Sequence, residues 1–148
     1  MTPDFDQCGG RAVMAEKLIR GFWAAFEKDA VSDLESFFTA DYVRHSPQAD
    51  ISRDDFLTVI RDRARAFPDL KTVILDVVED KDKIAYRWES HGTHQCTFMN
   101  VPPTGRTVRV SGITISRISG GKIAEDWSSW QNSDVLHGDF RITNGAYR

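Results

Sequence analysis

Phe67-Pro68-Asp69-Leu70-Lys71-Thr72-Val73-Ile74-Leu75-Asp76-Val77-Val78 is the stretch on which the fold turns. Before Pro68, apolar residues recur at three- and four-residue intervals, the spacing that places side chains on one stripe of a helix. After it, β-branched and aromatic residues alternate, as they do in strands that bury one face. Proline cannot continue a helix, so the change of period and the helix stop coincide.

Working upstream from Pro68, Phe56, Leu57, Ile60, Ala64 and Phe67 keep helical spacing. Ser52 followed three residues later by Asp55 has the form of a capping box, which predicts the start of that helix. A helical turn or two is expected over residues 31–38, with Ser32 and Asp33 as caps and Leu34, Phe37 and Phe38 on one side. Residues 11–28 read as an amphipathic helix with Met14, Leu18, Phe22, Ala25 and Phe26 on its buried stripe. Residues 1–10 read as a flexible tail, and residues 11–148 as one domain.

Downstream, strands are expected over residues 72–78, 84–94, 107–118 and 123–131. Glu79-Asp80-Lys81-Asp82 and Ser119-Gly120-Gly121-Lys122 are polar breaks suited to hairpin turns, and Pro102-Pro103-Thr104-Gly105 is a longer connection. Helices first and antiparallel strands afterwards describe an α+β fold. Val108 and Val110 share a strand face, but Ile113 and Ile115 have the opposite parity. Either a β-bulge near Gly112 restores the phase and bends the sheet, or both faces are buried there.

A chain of 148 residues with 41% hydrophobic content has enough apolar material for one core. Its 19 basic and 22 acidic side chains give a net charge of −3 without a basic run, which argues against nucleic acid as a partner. Arg61, Arg63 and Arg65, interrupted by Asp62, read as a solvated helix face. The early acidic residues Asp4 and Asp6 and the lack of a long apolar run argue against a secretory signal and against a membrane partner, so a cytoplasmic protein is expected. Cys8 and Cys96 lack metal or redox spacing and read as free thiols.

Five segments carry a family likeness: Asp41-Tyr42-Val43-Arg44-His45-Ser46-Pro47, Phe67-Pro68-Asp69-Leu70, His91-Gly92-Thr93-His94-Gln95, Pro102-Pro103-Thr104-Gly105-Arg106 and Gly121-Lys122-Ile123-Ala124-Glu125-Asp126-Trp127. In order and approximate spacing they resemble the signature of SnoaL-like polyketide cyclases, within the nuclear transport factor 2-like superfamily. The resemblance implies a cone-shaped, barrel-like domain: a curved, mostly antiparallel sheet wrapped by N-terminal helices around a pocket, in a homodimer or larger assembly. It implies a small apolar or aromatic ligand and ring closure by aldol condensation with neither metal nor organic cofactor. A carboxylate would remove a proton beside a carbonyl while donors stabilise the enolate.

The family's catalytic Asp stands four residues after the last-strand Trp, and that position from Trp127 is Gln131. An amide can orient a carbonyl or a water but has no useful basicity. Asp134 is one replacement; His45 or Asp126 is another. His45, before Pro47, either exchanges a proton near neutral pH or fixes its loop. His91 and His94 are oddly spaced, so on a regular strand they face opposite ways, and at most one is functional. His45, His94, Gln131 and Asp134 are therefore the candidate catalytic residues, and Trp23, Tyr42, Trp88, His91, Phe98 and Trp127 the candidate ligand contacts. No metal site is expected, because the histidines lack acidic or cysteine companions at ligand spacing. Arg87 and Arg117 are expected to pair with Glu125 or Asp126 across the sheet. Three functions are compatible with these residues: an acid/base enzyme acting on a mainly apolar carbonyl compound by cyclisation or isomerisation, a non-catalytic binder of small ligands, or a dimerisation domain.

Overall fold

The computed structural model describes residues 2–28 and 31–132. Helix α1 (Thr2–Glu27) leads through a 3-10 segment (Val31–Phe37) into strands β1 (Phe38–His45) and β2 (Asp50–Ser52). Helix α2 (Arg53–Ala66) follows, and then β3 (Lys71–Asp80), β4 (Lys83–Thr93), β5 (Thr107–Ser119) and β6 (Lys122–Asn132). The six strands make one open sheet in the order β2-β1-β6-β5-β4-β3. Only β1 with β6 is parallel; the other neighbours are antiparallel. The architecture is the expected α+β arrangement of helices followed by sheet.

Local chemistry explains α2 well. Ser52 Oγ accepts the Asp55 N–H at 3.2 Å, Asp54 and Asp55 occupy the positive end, and Phe67 N–H closes the last turn onto the Arg63 carbonyl. Phe56, Leu57 and Ile60 face the core. In α1 the buried stripe is Ile19, Phe22, Trp23 and Phe26, whereas Met14 is 67% exposed and lies off it. That helix also runs through residues 2–10, which the sequence reading leaves as a tail. Phe38, expected in a helical turn, begins β1, and neither β1 nor β2 follows from the periodicity.

The expected turns are present between β3 and β4 and between β5 and β6. In the latter, Gly120 and Gly121 both take left-handed φ, 58° and 77°, the conformation that matches a two-residue turn to the twist of its strands. Gly112 is not a bulge. Pairing of β4 with β5 is continuous from Lys83↔Arg117 to Thr93↔Thr107, and register shifts fall instead at Leu75 on β3, at Ala124 on β6 and between Phe38 and Val43 on β1. Gly112 makes room: a Cβ there would lie 2.6 Å from Trp88 Cζ2 and 2.7 Å from the Ser129 carbonyl oxygen.

Alternation then divides the sheet into two chemically different faces. Tyr42, Trp88, Val108, Thr114, Ser116, Asp126 and Ser128 are buried on the inner face, under the helices. The outer face carries Val73, Val78, Ile113 and Ile115 exposed, so Ile113 and Ile115 are not core residues. Because of the extra residue at Ala124, Ile123 is buried while Glu125, Trp127 and Gln131 point outward. The uninterrupted alternation expected from Ile123 through Trp127 to Gln131 is broken there.

Candidate functional site

The inner face carries a polar cluster within an otherwise apolar wall. Register aligns Ile84, Ser116, Asp126, Arg44 and Ile51 in one row across β4, β5, β6, β1 and β2. Asp126 sits in the middle of it, 3% exposed. Tyr42 Oη donates to Asp126 Oδ2 at 2.6 Å, Arg44 approaches the same oxygen at 3.2 Å, and Ser116 Oγ donates to Oδ1. Burial pushes the Asp126 carboxyl above its ordinary pKa, against the opposing pull of Arg44, Ser116 and Tyr42. Tyr42 is likewise raised, first by burial and then by the Asp126 charge, so its phenol stays protonated and serves as a donor.

One row along, Trp88 Nε1 donates to Thr114 Oγ1 at 3.0 Å, and Thr114 shares a hydrogen bond with Ser128 at 2.9 Å. Trp23 of α1 leans over Trp88 with ring centroids 6.2 Å apart. The guanidinium of Arg44 lies 4.4 Å from the centre of the Phe56 ring, which closes the cluster against α2. Tyr42 therefore lies beside Asp126, and Trp23 and Trp88 pack against each other on the same side of the sheet. Such a constellation combines a carboxyl of raised pKa, neutral donors and a cation within a dry aromatic wall.

His45, Trp127 and Gln131 lie on the other face. His45 Nε2 is 2.6 Å from Glu125 Oε2 and its Nδ1 is 2.9 Å from Asp50 Oδ1. Its pKa is raised by these hydrogen bonds, Glu125 first, which favours the protonated ring, the form able to donate from both nitrogens. It stacks on Trp127 at 5.4 Å, and Lys83 lies over the same indole at 5.3 Å. Arg117 completes the surface cluster by pairing with Glu125, as the sequence suggested; Arg87 pairs with Asp76 instead. Gln131 is exposed.

A third group forms beyond β4. His94 is buried, stacks on Phe67 at 5.3 Å and contacts Thr104 Oγ1 through Nδ1 at 3.2 Å, while its Nε2 has no partner among the described residues. Phe98 packs edge-on against Phe67 at 5.5 Å. His91 is exposed on the outer face, so the two histidines diverge as their spacing requires. Asp134 lies outside the described residues. Among the described residues no group of three His, Cys, Asp or Glu side chains has the disposition to hold a metal, and Cys96 is exposed and unbridged.

Sequence reasoning named Asp126 only as one alternative base and Tyr42 as a ligand contact, and did not pair either with Arg44 or Ser116. The available signal was parity: Thr114, Ser116, Asp126 and Ser128 occupy apolar-facing positions of two strands.

A family model described as SnoaL-like polyketide cyclase matches residues 17–137. Among solved structures, the chain is similar to AclR, a proposed hydroxylase from Streptomyces galilaeus, with 25% identity over 90% of this chain and 89% of that one, at a TM-score of 0.80. It is similar to IdmH, a proposed polyketide cyclase from Streptomyces antibioticus, with 29% identity over 78% and 91% of the two chains and a TM-score of 0.69. A SnoaL-like protein from Jannaschia sp. CCS1 shares the fold at 16% identity, covering 81% and 87%, with a TM-score of 0.74. No curated protein matches the sequence.

Proposed function

The chain belongs to the SnoaL-like polyketide cyclase family, and from that premise we propose that it is an enzyme that moves a proton next to the carbonyl of a mainly apolar, polyketide-like compound, with Asp126 as its acid/base group. The single observation behind this reading is the position of Asp126: a buried carboxyl of raised pKa, held by Tyr42 and Ser116, beside the Arg44 cation. A base matched to its task in this way takes the proton from the carbon beside the carbonyl. The electron pair moves onto the carbonyl oxygen, and Arg44 balances the enolate charge. Return of the proton at another carbon completes an isomerisation; attack of the enolate carbon on a second carbonyl closes a ring, and the alkoxide formed on that carbonyl takes the proton back from Asp126. Neither step calls for a cofactor, in keeping with the family likeness.

The exposed Val73, Val78, Ile113 and Ile115 support a homodimer formed through the outer face, where a second copy would cover them. No helix among the described residues is long and apolar enough to cross a membrane, and a cytoplasmic location belongs to the same proposal. A second reading, binding without turnover, is supported by the resemblance, which implies an Asp at the position of Gln131, where an amide supplies no base.

Deuterium exchange at the carbon beside the carbonyl of α-tetralone, followed by NMR, separates the readings. The wild-type protein should accelerate exchange, and Asp126→Asn should lower that acceleration by about a hundredfold, while Gln131→Ala leaves it unchanged. Undiminished exchange by folded Asp126→Asn would remove Asp126 from the chemistry, and no acceleration by the wild type would support the binding role.

A further inference from the structure

Between β4 and β5 the chain leaves the sheet as a strap, residues 95–104, that is held at its base and lightly seated along its length. At the base, His94 N–H bonds to the Arg106 carbonyl and Gly105 N–H to the His94 carbonyl, both at 2.9 Å, which prolongs the β4–β5 ladder. Gln95 N–H reaches the Ala66 carbonyl at the end of α2, at 2.8 Å. From Cys96 to Pro103, the hydrogen bonds among the described residues are the two that Phe98 and Val101 exchange, at 3.0 and 2.9 Å. What seats this stretch on the body is the Phe98 ring, edge-on to Phe67 at 5.5 Å within the small apolar cluster of Ala66, Phe67 and Val108. Most of the strap's other residues are exposed.

Two features of the seated strap are unfavourable. The turn between Phe98 and Val101 puts both central residues in the left-handed region, Met99 at φ 50° and Asn100 at φ 65°. Asn takes that conformation readily; Met does not, because its Cβ crowds the following carbonyl oxygen and no polar side chain offsets the clash. Such backbone persists only where its surroundings impose it, here the docking of Phe98 one residue earlier. The second feature is His94. Its ring is walled by Phe67, stacked at 5.3 Å, and by Thr104 of the strap, which meets Nδ1 at 3.2 Å. Nε2 is sealed from solvent and has no partner among the described residues. In either neutral tautomer that nitrogen is left as an unpaired donor or an unpaired acceptor, which disfavours the form that encloses it.

We propose that residues 95–104 are a lid seated by Phe98, and that the protein passes between this closed form and an open one. In the open form Phe98 leaves Phe67, Met99 relaxes out of the left-handed region and His94 Nε2 gains a hydrogen-bonding partner from outside. His94 stays in place, because its main chain is tied to Arg106 and Gly105 below the moving part. Lifting the strap therefore bares one fixed polar atom among apolar walls. The device stands apart from the function proposed above: Asp126 shares a row with Ser116 and Ile84, at the opposite end of β4 from His94.

Native-state amide hydrogen exchange of the full chain, followed by NMR, tests the lid. The amides of Gln95, Phe98 and Val101 should share one opening equilibrium and exchange about tenfold or more faster than those of His94 and Gly105 at the base. Met99→Asn suits the left-handed backbone, and His94→Leu removes the orphan nitrogen at similar volume. Each should favour the closed form and slow the three strap amides by about threefold or more. A histidine that merely holds the strap through Thr104 predicts the reverse, faster exchange in His94→Leu, and that result would overturn the role given to His94. Strap amides that exchange at unrelated rates, or no faster than the base, would overturn the lid itself, as would Met99→Asn without effect. Wild type and Met99→Asn decide the matter should His94→Leu fail to fold.

Discussion

The two faces of the sheet use the same strands and nearly the same residue types to opposite ends. Inside, Asp126 meets Arg44 with Tyr42 and Ser116 in a setting that excludes water, and its pKa rises. Outside, one residue earlier on β6, Glu125 meets His45 and Arg117 at the surface, and its pKa falls, chiefly through the His45 hydrogen bond. Adjacent carboxylates thus diverge because alternation sends one into low dielectric and leaves the other in solvent, where ion pairs are screened. Chemistry that needs a carboxyl poised for proton exchange belongs to the inner face; the outer face holds paired charges and an apolar strip.

The largest effect that sharpens this contrast is steric. Gly112→Ala should destabilise the protein by about 1–3 kcal/mol, because the new methyl meets the Ser129 carbonyl and the Trp88 ring, neither of which can yield without disturbing the inner wall. Chemical denaturation measures it, and a neutral result would mean that the inner face is loosely packed. On the outer face, Ile115→Lys should change monomer stability by no more than about 0.5 kcal/mol. It should nevertheless shift sedimentation towards monomer; an unchanged assembly would break the assignment of that face to self-association.

The smallest effect is electrostatic. His45 has a raised pKa and Glu125 a lowered one, so their pairing contributes between the two. The His45 contribution is complete below its unfolded pKa and disappears as pH rises through the folded value; that of Glu125 disappears as pH falls through its own depressed value. The melting temperature of His45→Gln should therefore fall slightly below wild type near neutrality, and the two should converge at alkaline and at strongly acidic pH. A constant offset across pH would show that His45 acts through packing on Trp127 rather than charge.

Much of the fold was legible because it depends on local chemistry. Ser52 and Asp55 announced α2, Pro68 its end, and Gly120-Gly121 the last hairpin, each through backbone requirements that single residues express. β1 and β2 were not, since β1 is only eight residues long, mixes Asp41 and Arg44 among its apolar positions and shifts register against β6. The faces of β6 were misread between Ile123 and Trp127 because one extra residue, Ala124, reverses parity, and such a bulge follows from pairing with β5 rather than from any local signal. The site suffered for the same reason. Asp126 was visible as a candidate, but its partner Arg44 lies 82 residues away in sequence and meets it only because β1 and β6 are parallel neighbours. Arg63, half-buried between the exposed Arg61 and Arg65, looked like them because spacing alone does not say which side of a short helix is covered.

On the proposed function a ligand is held on the inner face and not at the outer His45–Trp127 cluster. Indole N–H signals report on each side separately, since Trp88 donates to Thr114 within the core and Trp127 stacks on His45 outside. Titration with α-tetralone, watched in the amide and indole NMR spectrum, should displace the Trp88 signal and leave Trp127 where it was. Displacement of Trp127 with Trp88 unmoved would contradict the account.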